Sequence, residues 1–241
     1  ESGQPEIFFH LRNCLQTYKY HQNRGNRGIV GKQSENNKST EQKENTKQFK
    51  SSYNQIDLDI PRTFPTHAFF SKPSSLGQQE LRRVLSAYVS WEMEIFNHNN
   101  KDQNNQPYNI ISNRCGYVQG MNMIAGHILK HMNEFHTFHL FSHLMVNPRY
   151  NMQEILRSGM DGLHKKLYTI QILMERHLPL TSKNLNIANV SLLFFCTEWI
   201  ITLFSYVFEG HFLNHFLDLF FKYGWPSFYS VTLALIQSVE M

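Results

Sequence analysis

Cysteine is scarce in this 241-residue chain. Cys14, Cys115 and Cys196 are odd in number and far apart, which suits neither a disulfide framework nor a zinc site and points to a reducing compartment. Charge is scarce too: charged residues make up 17% of the chain, the formal net charge is +4, and Lys and Arg are spread out. No basic footprint dense enough for nucleic acid results, so nucleic acid is not an expected partner. No positive segment followed by an apolar core opens the chain, so nothing there reads as a secretory signal. The first residue is Glu1 rather than Met, and the expectation is a fragment.

A run long enough to cross a membrane is lacking as well. Residues 192–208 (LLFFCTEWIITLFSYVF) are almost wholly apolar, but Glu198 interrupts them and the polar His211 and Asn214 follow soon after. A bilayer needs about 18–20 consecutive apolar residues, so this segment is expected to be a buried helix and any membrane association to be peripheral. The competing reading, an integral anchor at 192–208, is the one a structure has to exclude.

Familiar catalytic templates are also missing: there is no G-x-S-x-G elbow, H-E-x-x-H, C-x-x-C pair or dinucleotide-binding glycine fingerprint. GIVGK at 28–32 looks like part of a phosphate loop, but Asn26 stands where the first Gly should be, Gln33 replaces the hydroxyl residue, and no strand precedes it. His136, His139 and His143 share one helical face and could geometrically hold a metal. Phe135, Phe138, Leu140, Phe141 and Leu144 surround them and no carboxylate or Cys joins them, so they read as ordinary helix histidines.

What is present is hydrophobic residue, 41% of the chain with 14% aromatic, enough for the core of one domain. Residues 6–21 carry apolar positions at helical spacing. Residues 22–52 are rich in Asn, Gln, Lys and Ser and are expected to form a disordered linker or surface insertion, because they bury too little to offset the entropy of ordering. The expected organisation is therefore 1–52, an N-terminal helix with a polar linker, and 53–241, an all-α, multi-helix domain. Helices are predicted near 78–97, 118–132, 134–146, 150–176, 187–208, 211–223 and 226–239, with no strand-type alternation between them. A second Asn/Gln-rich insertion lies at 98–109, and Pro148, Pro179 and the Gly224/Pro226 pair mark breaks.

Two short segments carry chemistry: IDLDIPRTFPTH at 56–67 and GYVQGMN at 116–122. Asp59 and Arg62 are three apart and share a face if helical, so the carboxylate can restrain the guanidinium. Pro61 is acceptable only in a first turn. Gly120 leaves space for close approach, and Asn122 adds a polar contact. Taken singly these residues have plain structural readings: a surface ion pair for Arg62, a helix N-terminal polar residue for Gln119, packing for Met121, and an aromatic loop anchor for Tyr117.

Together the two segments resemble the paired signatures of TBC domains. Ile56, Asp59 and Arg62 match I-x-x-D-x-x-R and run on through Thr63 into RTFP; Tyr117, Gln119, Gly120 and Met121 match Y-x-Q-G-M. LRRVLSAY at 81–88, EWIITLFS at 198–205 and the segment at 217–236 agree in order, so the resemblance covers Tyr53 to the C-terminus. It implies a TBC-type fold and an activator of GTP hydrolysis on a Rab-like small GTPase, an enzyme activator without turnover of its own. Arg62 would be the arginine finger and Gln119 the glutamine finger, with Asp59, Ile56, Thr63, Tyr117, Gly120, Met121 and Asn122 in support.

An arginine supplied in trans to phosphoryl transfer is typically worth ~10³ to 10⁵ in rate, because its planar fork of donors meets charge building on the phosphate oxygens. A glutamine amide can both accept from the attacking water and donate to phosphate. No cofactor of its own is expected, since GTP and Mg²⁺ arrive on the partner GTPase. The expected setting is the cytoplasm, in vesicle trafficking, with recruitment to endomembranes or a cilium. The upstream G-[IL]-P and R-x-x-V-W elements of the family are missing, and an insertion precedes the Gln segment. Those departures motivate the alternative, a catalytically silent scaffold or interaction module in a larger assembly. Further helical sequence is expected beyond Met241.

Overall fold

The computed structural model describes residues 40–101 and 115–238, with side chains for 50–95 and 115–238. Among the described residues all regular structure is helical. The order is α1 (Thr40–Asp59), a 3-10 turn (Ile60–Arg62), α2 (Leu76–Lys101), α3 (Met121–Leu129), α4 (Glu134–Val146), α5 (Met152–Leu156), α6 (Asp161–His177), α7 (Pro179–Ile187), α8 (Leu193–Thr202), α9 (Gly210–Tyr223) and α10 (Trp225–Ser238). The chain divides into two compact units, residues 1–143 and 144–241.

In the first unit α2 is the central element, packing against α1 and α3. Leu81, Leu85 and Tyr88 recur on its buried face at helical spacing. The Tyr88 ring meets Phe141 of α4 edge-on at 5.1 Å, and Trp91 meets Phe138 at 6.4 Å. Arg83 grips Glu134 at the start of α4 with two bonds of 2.7 and 2.8 Å. Every residue of α3 is buried.

The expected boundary at 52/53 falls inside a helix. Helix α1 starts at Thr40 and passes through it, so residues 40–52 are helical rather than linker. The reason is one of propagation: Tyr53, Ile56 and Ile60 anchor the end of the segment, and Lys, Gln and Glu upstream are good helix formers once a packed turn exists. Helix α2 likewise runs on to Lys101, taking in the first residues of the Asn-rich insertion. The rest of that insertion, the predicted helix at 6–21 and the GIVGK segment lie outside the described residues.

In the second unit the single helix expected at 150–176 is two. A turn at Ser158–Gly159, with Gly159 at φ +88° and Met160 at φ +51°, divides α5 from α6. Pro179, read as a stop, also starts the short helix α7, where its missing N–H costs nothing. The apolar run at 192–208 forms only the ten residues of α8 before Leu203 and Phe204 turn at positive φ. Phe204 then stacks on Phe228 at 4.7 Å and meets Phe216 edge-on at 4.9 Å, so this run builds core. Among the described residues no helix is long and apolar enough to cross a membrane.

Candidate functional site

Asp59 closes α1 and is fully buried, yet its carboxylate receives four donors. Oδ1 accepts from Arg62 Nε at 2.7 Å, from Arg62 Nη2, and from Gln55 Nε2 at 3.2 Å. Oδ2 accepts from the Tyr117 hydroxyl at 2.7 Å. The 3-10 turn of Ile60, Pro61 and Arg62 makes this possible: proline fits its first positions, and the tightened backbone brings residue i+3 over Asp59. Arg62 therefore has its guanidinium anchored at one edge, while its side chain stays 55% exposed. Ile56, one turn earlier, is buried and fixes the helix end in the core.

The second segment enters as irregular chain at Cys115–Val118, turns at Gln119–Gly120 and becomes α3 at Met121. Its contacts hold it against the first. Tyr117 N donates to Ser52 Oγ of α1 at 3.2 Å, and Asn122 Nδ2 donates to Thr63 Oγ1 at 2.8 Å. Thr63 Oγ1 in turn donates to the Asp59 carbonyl at 2.8 Å, and Asn122 Oδ1 accepts from Gly120 N at 3.0 Å. Gly120 sits at φ +106°, a backbone that a side chain would strain, so its conformation is a reason for glycine in addition to space. Met121 is buried, and its sulfur accepts from Val118 N at 3.4 Å.

The two segments, far apart in sequence, are thus stitched by buried hydrogen bonds. Gln119 lies two residues beyond Tyr117 and is exposed, as is Arg62. Burial, then the bond to Asp59 and its charge, hold the Tyr117 phenol well above the ordinary tyrosine range, so it remains a donor. Phe64 follows Thr63 at φ +46° and is clamped by Phe70 at 6.0 Å and by Lys130 Nζ at 3.8 Å from its ring centroid.

Sequence reading missed Ser52, Gln55 and Glu92. Ser52 lies in the polar stretch read as linker. Glu92 carried a signal, since it continues the 81, 85, 88 stripe of α2 and a carboxylate there has to be buried. Two of the three candidate metal histidines are engaged separately: His136 Nδ1 lies 2.8 Å from Asn133 Oδ1, while His139 packs against Phe135 at 4.4 Å and Phe138 at 5.5 Å. Among the described residues no group of three or more His, Cys, Asp or Glu side chains could hold a metal.

The described residues form an all-helical domain in which one buried aspartate ties the turn that carries Arg62 to the segment that carries Gln119. The sequence model of the Rab-GTPase-TBC domain matches residues 10–96 and 106–240, and the chain belongs to that family. It is 26% identical over 185 residues to Rab GTPase-activating protein tbc-11 of Caenorhabditis elegans, covering 77% of this chain and 18% of that protein. It is 28% identical over 201 residues to TBC1 domain family member 4 of Mus musculus, covering 83% and 14%. The chain thus spans less than a fifth of the length of these relatives. Its fold is that of the crystal structure of the Ypt/Rab-GAP domain of Gyp1p, with a TM-score of 0.52 at 14% identity, covering 92% of this chain and 64% of the other.

Proposed function

We propose that this domain accelerates GTP hydrolysis on a Rab-like small GTPase by supplying Arg62 and Gln119 in trans. The observation that carries the reading is the shared mounting of the two exposed side chains through the Arg62–Asp59–Tyr117 chain of hydrogen bonds. A guanidinium is a planar fork of donors that suits phosphate oxygens, and its carboxylate partner restricts where it points before docking. The glutamine amide lies on a short turn whose exit is fixed by Asn122 and Thr63, which suits the orientation of a water nucleophile. GTP and Mg²⁺ belong to the partner in this reading, and the similarity to Rab GTPase-activating protein tbc-11 supports the choice of partner class. The same reading puts the domain in the cytoplasm, acting where its GTPase is recruited to endomembranes or a cilium.

Single-turnover GTP hydrolysis by a panel of Rab-like GTPases, with and without the domain, tests it. Acceleration of one or more GTPases is expected, with Arg62→Ala lowering the effect by ~10³ or more and Gln119→Ala also lowering it strongly. A wild-type domain that binds a GTPase without changing its rate would instead make this a recruitment module.

A further inference from the structure

We infer that Glu92 is a positioning residue for Gln119, a buried carboxylate that fixes the entry of the glutamine loop; this rests on the reading of Gln119 as a finger. Glu92 lies on the stripe of α2 that Leu81, Leu85 and Tyr88 define, and only 1% of it is exposed. Burying a carboxylate there is costly unless hydrogen bonds satisfy it, and an apolar side chain would pack without that penalty. Its partners show what the charge does. Oε2 accepts from Gly116 N at 2.8 Å, and Oε1 accepts from Cys115 N at 3.0 Å and from the Cys115 thiol at 3.4 Å. The Tyr88 hydroxyl, one turn earlier on α2, lies 3.9 Å from the Cys115 sulfur.

Two successive backbone N–H groups, those of Cys115 and Gly116, converge on one carboxylate, and Gly116 then takes φ +62°, a left-handed step that glycine adopts without strain as the chain turns toward Tyr117. Gly116 is three residues before Gln119. The loop then has an anchor at each stage: Glu92 at its entry, Ser52 and Asp59 on Tyr117 in the middle, and Thr63 on Asn122 at its exit. The middle and exit anchors come from α1 and the turn that follows it, the part of the chain that carries Arg62. Glu92 is the one supplied by α2, and so it fixes the glutamine turn from a second direction. Displacement of a catalytic group by about 1 Å can cost ~10²-fold in rate, so a loop released at its entry should lose catalysis before it loses binding.

The test is Glu92→Gln, which preserves shape but turns one acceptor into an amide NH₂ facing a backbone N–H. With a GTPase that the wild-type domain accelerates, the saturating single-turnover rate is expected to fall by roughly ten- to a hundredfold, while the half-saturating domain concentration stays within about twofold. In a Gln119→Ala background Glu92→Gln should cause no further loss, whereas in an Arg62→Ala background it should still lower the rate. Glu92→Asp, which keeps the charge, should recover part of the activity. Amide hydrogen exchange gives a readout independent of catalysis: exchange at Cys115 and Gly116 should accelerate in Glu92→Gln while the amides of α2 stay protected. A saturating rate equal to wild type, an equal fold-loss in the Gln119→Ala background, or unchanged exchange at both amides would each overturn the inference. A wild-type domain inert on every GTPase removes the finger reading and this one with it; an active wild type beside an equally active Glu92→Gln removes this one alone.

Discussion

At the scale of single residues, the site turns on how one buried carboxylate is shared. Asp59 serves Arg62 on one oxygen and Tyr117 on the other, so removing either donor is felt by both loops. Tyr117→Phe deletes only a hydroxyl and leaves Asp59 Oδ2 without that bond in a buried setting. The expected cost is about 1–3 kcal/mol in stability, measured as a shift in the urea midpoint. The saturating GTP hydrolysis rate should fall by roughly tenfold, because the glutamine loop loses its tie to the carboxylate that holds Arg62. An unchanged rate in a variant destabilised to that degree would mean that Tyr117 serves folding alone.

Ile56, Asp59, Arg62, Tyr117, Gln119, Gly120 and Met121 were all legible in the two signatures, since each signature is a local pattern. The bond from Asn122 to Thr63 was not, because it exists only once α3 lies beside the 3-10 turn. Ser52 was hidden for a related reason: a polar residue in a polar stretch gives no sign that it will be buried against Tyr117.

At the scale of elements, the sequence separated helices well where a packed face or an obvious break was present, as at 134–146, where the predicted and observed bounds coincide. It failed where the decisive contact is made by backbone. The split of 150–176 into α5 and α6 lets the two pack closely at Gly162, where a Cβ would lie 2.7 Å from the Glu154 carbonyl oxygen and 2.9 Å from the Ile155 nitrogen. No flexible side chain can yield there, and nothing in an apolar periodicity reports such an approach. Gly162→Ala should therefore destabilise the protein by about 1–3 kcal/mol, despite alanine's better helix propensity. Chemical denaturation would show a lower midpoint at unchanged slope. A neutral or stabilising result would mean that α5 and α6 shift apart at little cost. The converse failure is α1, where good helix formers without apolar spacing gave no amphipathic signal although a helix forms.

At the scale of the whole molecule, the two units carry different acid sensitivities, and the signs can be worked out from the groups responsible. In the first unit His139 is pushed below the ordinary histidine range by burial and then by His136. Its unfolded form takes up a proton near pH 6.5 before the folded form does, so stability is lost as pH falls below about 6.5. In the second unit Glu154 is held below the usual carboxylate range, first by its bond to Lys165, and its contribution persists above the unfolded value near pH 4.5 and disappears as pH falls through the lower folded value. Glu80 in the first unit acts oppositely: burial, with Glu134 beside it, raises its pKa, so acid relieves it in the carboxylate range. Of these three groups, only His139 acts in the interval just below pH 6.5. Residue-resolved hydrogen exchange from pH 7.5 to 4 should show residues 115–143 losing protection first, with 144–238 following only near the carboxylate range. His139→Phe, placed against Phe135 and Phe138, should abolish the earlier loss and leave the later one. If both units lost protection together near pH 6, in wild type and variant alike, the histidine would not be the cause and a group common to both halves would have to be sought.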